Sequence, residues 1–319
     1  MRTFNIYQRE TLDQQPVRIA TGLTVKNYSI DGLTKGKKYL FSVGAVKNGV
    51  EKIGNEKVIL AGIPWTPASL LTLTTLIADN SITDSFSRIS QITDTSGNAR
   101  HAVQTSDARK PTLTSINSQK ALQFDGSDDF LWISDTSYLK AQNSLWVFWV
   151  GEPVFKTAYT SVFYALYRQN GGSKLNFSLN NGKPAFGGRR VVSDSYAEVA
   201  STENISAKAS INFGQRDFTT KTAILFNDGL QTSINNNAGT AGAADSLELY
   251  GSVLGAYVTA LGGSNFSEAY IGKLGCVIVG SGILSEVNRQ KLEGWAAHKY
   301  GLTANLPAGH PYKILVPII

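Results

Sequence analysis

The sequence predicts an all-β chain in two parts: a small N-terminal sheet, then a larger two-sheet jelly roll closed by one C-terminal helix. Three observations carry this. Short runs rich in apolar and aromatic residues recur along the chain, separated by Asn-Gly, Asp-Gly and Gly-Gly turns, as strands require. Ala61-Gly62-Ile63-Pro64-Trp65-Thr66-Pro67 interrupts them with two prolines around a tryptophan, a stiff extended segment suited to a boundary. Only the run after Ser285 repeats apolar residues at helical spacing. The expected domains are therefore residues 1–62 and 63–319.

Composition narrows the class. With 42% hydrophobic and 17% charged residues, the chain has the make-up of an ordinary globular protein. No apolar run approaches the roughly 18 residues of a membrane span, so no membrane insertion is expected. MRTFNIYQRETLDQQ has no apolar segment of the secretory-signal kind. The single cysteine, Cys276, lies in an apolar run and reads as a buried thiol, suiting synthesis in a reducing cytosol. The net charge of +6 is uneven: residues 1–62 hold ten Lys/Arg against five Asp/Glu, the rest twenty against nineteen. That basic segment has neither interleaved aromatics nor a helix-turn-helix pattern, so no nucleic-acid partner is expected.

In the first domain, strands are expected at Phe4–Arg9, Val17–Ala20, Asn27–Ile30, Lys38–Val46 and Glu51–Leu60. Alternation puts Tyr39, Phe41, Val43 and Ala45 on one face. The run IDGLTKGKKYLFSVGAVKNGVEK resembles the second half of a fibronectin type III domain. Leu33, Gly36 and Tyr39 stand at that family's E–F corner. The resemblance covers about residues 4–60 and lacks the family's first two strands, which implies an open edge covered either by a neighbouring chain or copy, or by the domain behind it.

Beyond the boundary, residues 68–120 are rich in Ser, Thr and Asn and give few strong strands. Ala121–Ile133, ALQFDGSDDFLWI, reads as a hairpin of two apolar runs around an aspartate turn, with Phe124, Phe130 and Trp132 in the core. Further strands are expected at 144–151, 160–168, 174–179, 185–188, 207–213, 222–227, 247–250 and 270–279. The Asn/Gly/Ala-rich loop 233–245 is expected to be mobile. Ser285 is an N-cap, Leu292, Trp295 and Ala296 form an apolar stripe to be buried on the sandwich, and Gly301 stops the helix.

Three motifs in order then support a family resemblance: Asp94-Thr95-Ser96-Gly97-Asn98-Ala99-Arg100-His101-Ala102, FDGSDDFLWI, and ILSEVNRQKLEGWAAHKYGLTANLPAGHPY. Over about residues 64–313 the chain resembles the concanavalin/laminin-G-like jelly-roll domain of tailed-bacteriophage virion proteins. Thr74–Asp79 departs from the tryptophan-containing run of many relatives. The resemblance implies a virion protein made in the host cytoplasm, a tail-associated adhesin for a host-surface glycan or receptor. Residues 1–62 would then attach to other virion proteins, and homo-oligomerisation is expected from virion symmetry. The alternative is a capsid decoration or particle-stabilising protein that binds no glycan.

The chemistry-bearing residues allow two readings each. Asp94, Asn98, Arg100 and His101 are of the types that hold sugar hydroxyls, but Asp94 and Asn98 equally suit a turn that satisfies its own backbone. Tyr196 and Tyr257, with Asn236 and Asn265, offer adhesive loop surface. Asp125, Asp128 and Asp129 are candidate Ca²⁺ ligands, the one cofactor to be considered. Turn capping leads for them, because a calcium site needs about 6–8 oxygens and the sequence does not show the others. No E-x-D-x-x-E run, G-x-S-x-G element or H-E-x-x-H helix occurs, so no enzyme is expected.

Overall fold

Alternation along the sequence builds both sheets seen in the computed structural model, which describes residues 2–25, 27–135, 137–168, 172–247, 249–258 and 266–319. Two units result: Met1–Trp65 together with Ile314–Ile319, and Thr66–Lys313. The tail, expected to belong to the second domain, thus belongs to the first unit.

The first unit is one antiparallel sheet. Its strands are β1 (Thr3–Arg9), β2 (Val17–Leu23), β3 (Lys38–Lys47), β4 (Val50–Ile53) and β5 (Lys57–Leu60). Their order is β2-β1-β3-β4, with β5 also on β3. Tyr39, Phe41 and Ala61 are buried against Ile6, Ile19, Ile30 and Leu33. The corner forms as expected: the Tyr39 hydroxyl accepts the Thr34 N–H at 3.0 Å, and Gly36 takes a positive φ of 80°. Asn27–Ile30 is not a strand; Ile30 reaches the core with its side chain while its backbone stays outside the ladder. The expected strand Glu51–Leu60 is broken at Gly54, whose N–H bonds back to the Val43 carbonyl. On the apolar face, cover stops after Phe41, and Val43 is 50% exposed. The tail closes the unit: Pro64 bridges Ile318, and the Trp65 N–H donates to the Pro317 carbonyl at 2.8 Å.

The second unit is a sandwich with a helix on one outer face. Its early strands are β6 (Thr74–Thr83), β7 (Ile89–Asp94), β8 (Ala102–Val103), β9 (Thr112–Ile116), β10 (Gln119–Asp125) and β11 (Leu131–Ile133). The middle supplies β12 (Ser144–Pro153), β13 (Tyr159–Tyr167), β14 (Ser173–Asn180), β15 (Lys183–Gly188) and β16 (Ala197–Ala200). Then come β17 (Ser210–Asp217), β18 (Thr222–Asn227), β19 (Leu230–Asn235), β20 (Leu249–Leu254), β21 (Tyr257–Val258), β22 (Phe266–Ser267) and β23 (Ile271–Ser281). Hydrogen bonding runs β16-β15-β14-β13-β20-β11-β8-β7-β6-β23-β12-β17-β18-β19. The path folds over, so Trp149 of β12 meets Phe177 of β14 edge-on at 5.6 Å, and Phe177 meets Phe186 at 5.3 Å. Such pairs add about 0.5–1.5 kcal/mol each beyond area burial.

Helix α1 (Glu286–Lys299) starts as expected, with Ser285 Oγ accepting the Asn288 N–H. It covers the far side of the β12–β17–β18 sheet, where Arg289 lies 3.7 Å from the Phe226 ring centroid. Phe226, Phe213 and Trp146 continue that layer. Trp295, expected to bury, is only half-covered. Residues 310–312 clamp the helix. His310 Nδ1 accepts the Tyr312 N–H, so Nε2 carries the proton donated to the buried Glu293, whose other oxygen takes Arg289. Cys276 is buried, and burial pushes its thiol up to about 12.

Two expectations fail here for one reason: local sequence does not choose a strand's partner. Residues 68–120 supply four complete strands, β6 to β9. ALQFDGSDDFLWI is no hairpin, since β10 pairs with β9 and β23 while β11 pairs with β8 and β20. Its aspartate turn sends the chain from one ladder to another. The loop 233–245 makes hydrogen bonds to its neighbours, with Gly242 N–H on the Phe218 carbonyl and Ala238 N–H on the Lys221 carbonyl. Asp245 also takes the Tyr167 hydroxyl at 3.0 Å.

Candidate functional site

Strand register lays a row of residues across the sheet. Trp132 stands opposite Val103 and Val253, Val253 opposite Tyr164, Tyr164 opposite Asn176, Asn176 opposite Gly187, and Gly187 opposite Glu198. Residues paired in this way share a face. Their neighbours Leu131, Leu254, Phe163, Phe177, Phe186 and Val199 point into the core, so the row lies on the outer face. Trp132, expected in the core, lines an outer groove of about 510 Å³ beside Phe130, Gln104 and Arg109.

Near β16 the row carries a cluster of tyrosines and glutamates. Tyr164 and Tyr257 lie with ring centroids 4.6 Å apart. Glu198 takes the Tyr159 hydroxyl on Oε1 and the Tyr196 hydroxyl on Oε2, each at 3.2 Å. Glu268 accepts the Ser161 hydroxyl at 2.5 Å, and Ser161 Oγ also lies 3.5 Å from Asn176 Oδ1. The Arg189 guanidinium lies 5.8 Å from the Tyr196 ring centroid and bonds the Asp194 carbonyl. Gly187 gives the Tyr196 phenol its place: a Cβ there would stand 2.8 Å from Tyr196 Oη and 2.5 Å from the Ala197 carbonyl oxygen.

Electrostatics tie these side chains into one site. Burial raises the Glu268 carboxyl above its ordinary range; the Ser161 hydroxyl opposes this and the charge of Glu198 reinforces it. The Tyr196 phenol is held well up, first by burial and then by Glu198. The phenols therefore stay protonated and donate, and the carboxylates accept. Flat half-buried rings beside hydroxyl, amide and carboxylate groups suit a ligand with apolar faces and hydroxyl edges.

Tyr196 and Tyr257 are thus brought to one place. Asn236 is exposed after β19, and Asn265 lies outside the described residues. The other expected cluster stands on β7, seven strand positions from β16 in the hydrogen-bonded order. There Asp94 accepts the N–H groups of Thr75, Ser96 and Arg100 and the Ser96 hydroxyl, at 2.7 to 3.0 Å. Burial pushes its carboxyl up, but these donors together outweigh burial and hold it below the ordinary range. Asn98 donates to the Thr72 and Leu73 carbonyls, His101 Nδ1 accepts the Asp94 N–H, and Arg100 pairs with Asp135. This turn serves its own backbone.

Asp125, Asp128 and Asp129 also converge, with ligand atoms within 4.8 Å of one another. Part of their capacity is turn capping: Asp125 Oδ1 takes the Ser127 N–H and Asp129 Oδ2 the Asp125 N–H. Burial, then the Asp125 charge, raise the Asp129 carboxyl to about 6.

Sequence reading missed Tyr159, Ser161, Tyr164, Asn176, Glu198 and Glu268 because they come from separate segments that only register unites. One signal was present. In Ser173–Asn180 the polar residues Asn176, Ser178 and Asn180 alternate with the core residues Leu175, Phe177 and Leu179, marking an outward polar face.

No protein-family profile matches the chain, and no curated protein matches its sequence. Among solved structures it is similar to domain 4 of AbnA, an extracellular arabinanase from Geobacillus stearothermophilus, in complex with arabinotriose. That match has a TM-score of 0.46 and 14% identity over 70% of this chain and 98% of that one. It is also similar to the botulinum neurotoxin serotype D binding domain, with TM-score 0.47, 12% identity, and coverage of 70% and 51%. A third is the Ruminococcus gnavus IT-sialidase CBM40 bound to α2,3-sialyllactose, with TM-score 0.40, 12% identity, and coverage of 55% and 94%.

Proposed function

We propose that the second unit binds glycans on the outer face of its β13–β16 sheet, without catalysis. The observation that carries the reading is the cluster in which the Tyr164 and Tyr257 rings meet at 4.6 Å, tilted by 59°, while Tyr159 and Tyr196 share Glu198. A half-buried phenol ring such as that of Tyr257 offers apolar sugar faces a platform, and the carboxylates take hydroxyl hydrogens. The finer reading, a virion adhesin made in the host cytoplasm and carried by a phage tail, rests on the three ordered motifs and the fibronectin-like segment before them.

In that reading the first unit is the attachment to other virion proteins. Phe4, Ile6, Leu23, Val25, Tyr28 and Val43 line an open groove of about 400 Å³, an apolar face of the kind that a partner covers. The same groove favours the second reading, a particle-stabilising protein with no glycan ligand. A crossed test on the full chain separates them. Tyr257→Ala should cost at least tenfold in binding to host cells or arrayed glycans and leave particle incorporation intact. Val43→Asp should do the reverse. Incorporation with no glycan or cell binding by the wild-type chain would leave the stabilising reading alone.

A further inference from the structure

The two bonds that Glu198 accepts are long. Hydroxyl-to-carboxylate bonds run about 2.5–2.7 Å when well made, whereas both phenols stand 3.2 Å from the Glu198 oxygens. Ser161 on Glu268, at 2.5 Å, shows the tight form in the same cluster. Glu198 therefore offers two under-satisfied acceptors side by side on a half-exposed carboxylate. Two adjacent hydroxyls match that spacing, one to each oxygen, as the two N–H groups of an arginine match a carboxylate. A ligand carboxylate would instead meet two glutamates at a site where burial weakens screening. Arg189 beside them gives its Nε–H to the Asp194 carbonyl, and its single charge is outnumbered by the two carboxylates.

Resting on the glycan reading above, we infer that Glu198 determines specificity at this face. It receives a vicinal diol of a neutral sugar on its two oxygens and, with Glu268, turns away sugars bearing carboxylates. Tyr159 and Tyr196 hold the carboxylate in place until the diol replaces their hydroxyls, and Tyr257, backed by the buried Tyr164, supplies the ring face beside it.

The test uses the full chain, a neutral hexose oligosaccharide and its uronate-bearing counterpart, with thermal melting to verify folding. Wild-type protein should bind the neutral glycan and bind the acidic one at least tenfold more weakly. Glu198→Gln should lower neutral-glycan affinity about tenfold or more and narrow the gap between the two ligands. Tyr159→Phe, which frees one Glu198 oxygen, should keep wild-type affinity or better it. Preference for the acidic glycan, an unchanged ratio in Glu198→Gln, or a loss in Tyr159→Phe would overturn the specificity role while glycan binding stands. Binding of neither glycan, nor of any on an array, would remove the glycan reading and this inference with it.

Discussion

The Asp94 turn and the Glu198 cluster are built from the same kinds of residue, yet one is closed and the other open. Asp94 receives four hydrogen bonds, three of them from backbone N–H groups that cannot move away. Glu198 receives two, both from side-chain hydroxyls at 3.2 Å. A ligand can displace a phenol by a rotation, but it cannot displace a turn's own backbone without unfolding the turn. Residue type therefore says little about whether a polar group is free to recognise anything. The identity of its present partners decides.

The largest expected effect comes from the closed region. Asp94→Ala strands three backbone donors and should cost about 3 kcal/mol or more, read as a shifted denaturant midpoint. Glycan affinity of the folded fraction should not change; a parallel loss of affinity would mean that the turn also touches ligand. Gly187→Ala, in the open region, presses a methyl on the Ala197 carbonyl and on Tyr196. It should cost about 1–3 kcal/mol and also lower affinity several-fold, because the methyl would stand 2.6 Å from the Glu198 Cβ and turn its carboxylate. Equal affinity in that variant would detach Glu198 from the site.

The smallest effect concerns pH, where two carboxylates titrate in opposite senses. Asp94 is held below its ordinary value of 3.8, so its contribution is present above that value and fades as pH falls through the lower folded value. Asp129 is raised from 3.8 to about 6, so the folded state loses stability as pH climbs from about 4 to about 6 and is level above. Asp129→Asn should remove that decline, seen as a flatter melting-temperature profile across the window. Added calcium should leave the wild-type profile unchanged if turn capping is the whole role of Asp125, Asp128 and Asp129. A rise at neutral pH would show that they hold the ion.

What was legible in the sequence was local. The Leu33–Gly36–Tyr39 corner, the Ser285 cap and the strand-like runs after residue 144 each follow from contacts within a few residues. What was not legible was partnership across the chain. An aspartate turn looks the same whether its strands pair with each other or diverge, as they do at Asp125–Asp129. The Glu198 cluster draws on residues from Tyr159 to Glu268, over more than a hundred positions, and nothing local announces their meeting. The motifs that carry the resemblance have structural roles: His310 and Glu293 hold residues 310–312 to the helix, and Asp94 holds a turn.

The pairing of Trp65 with Pro317 has a consequence for the order of synthesis. Ile314–Ile319 are made after the whole sandwich, yet they complete the unit whose other strands are made before it. The small unit therefore waits, unfinished, until every strand of the sandwich has been made. A reading-frame error or nonsense codon within the sandwich yields a chain whose small unit is incomplete as well, so a truncated product is marked at the very part proposed to admit it to the particle. A tag fused after Ile319 would sit beside Ile63, whose carbonyl accepts the Ile319 N–H. Placing it there would disturb the early unit and not the late one.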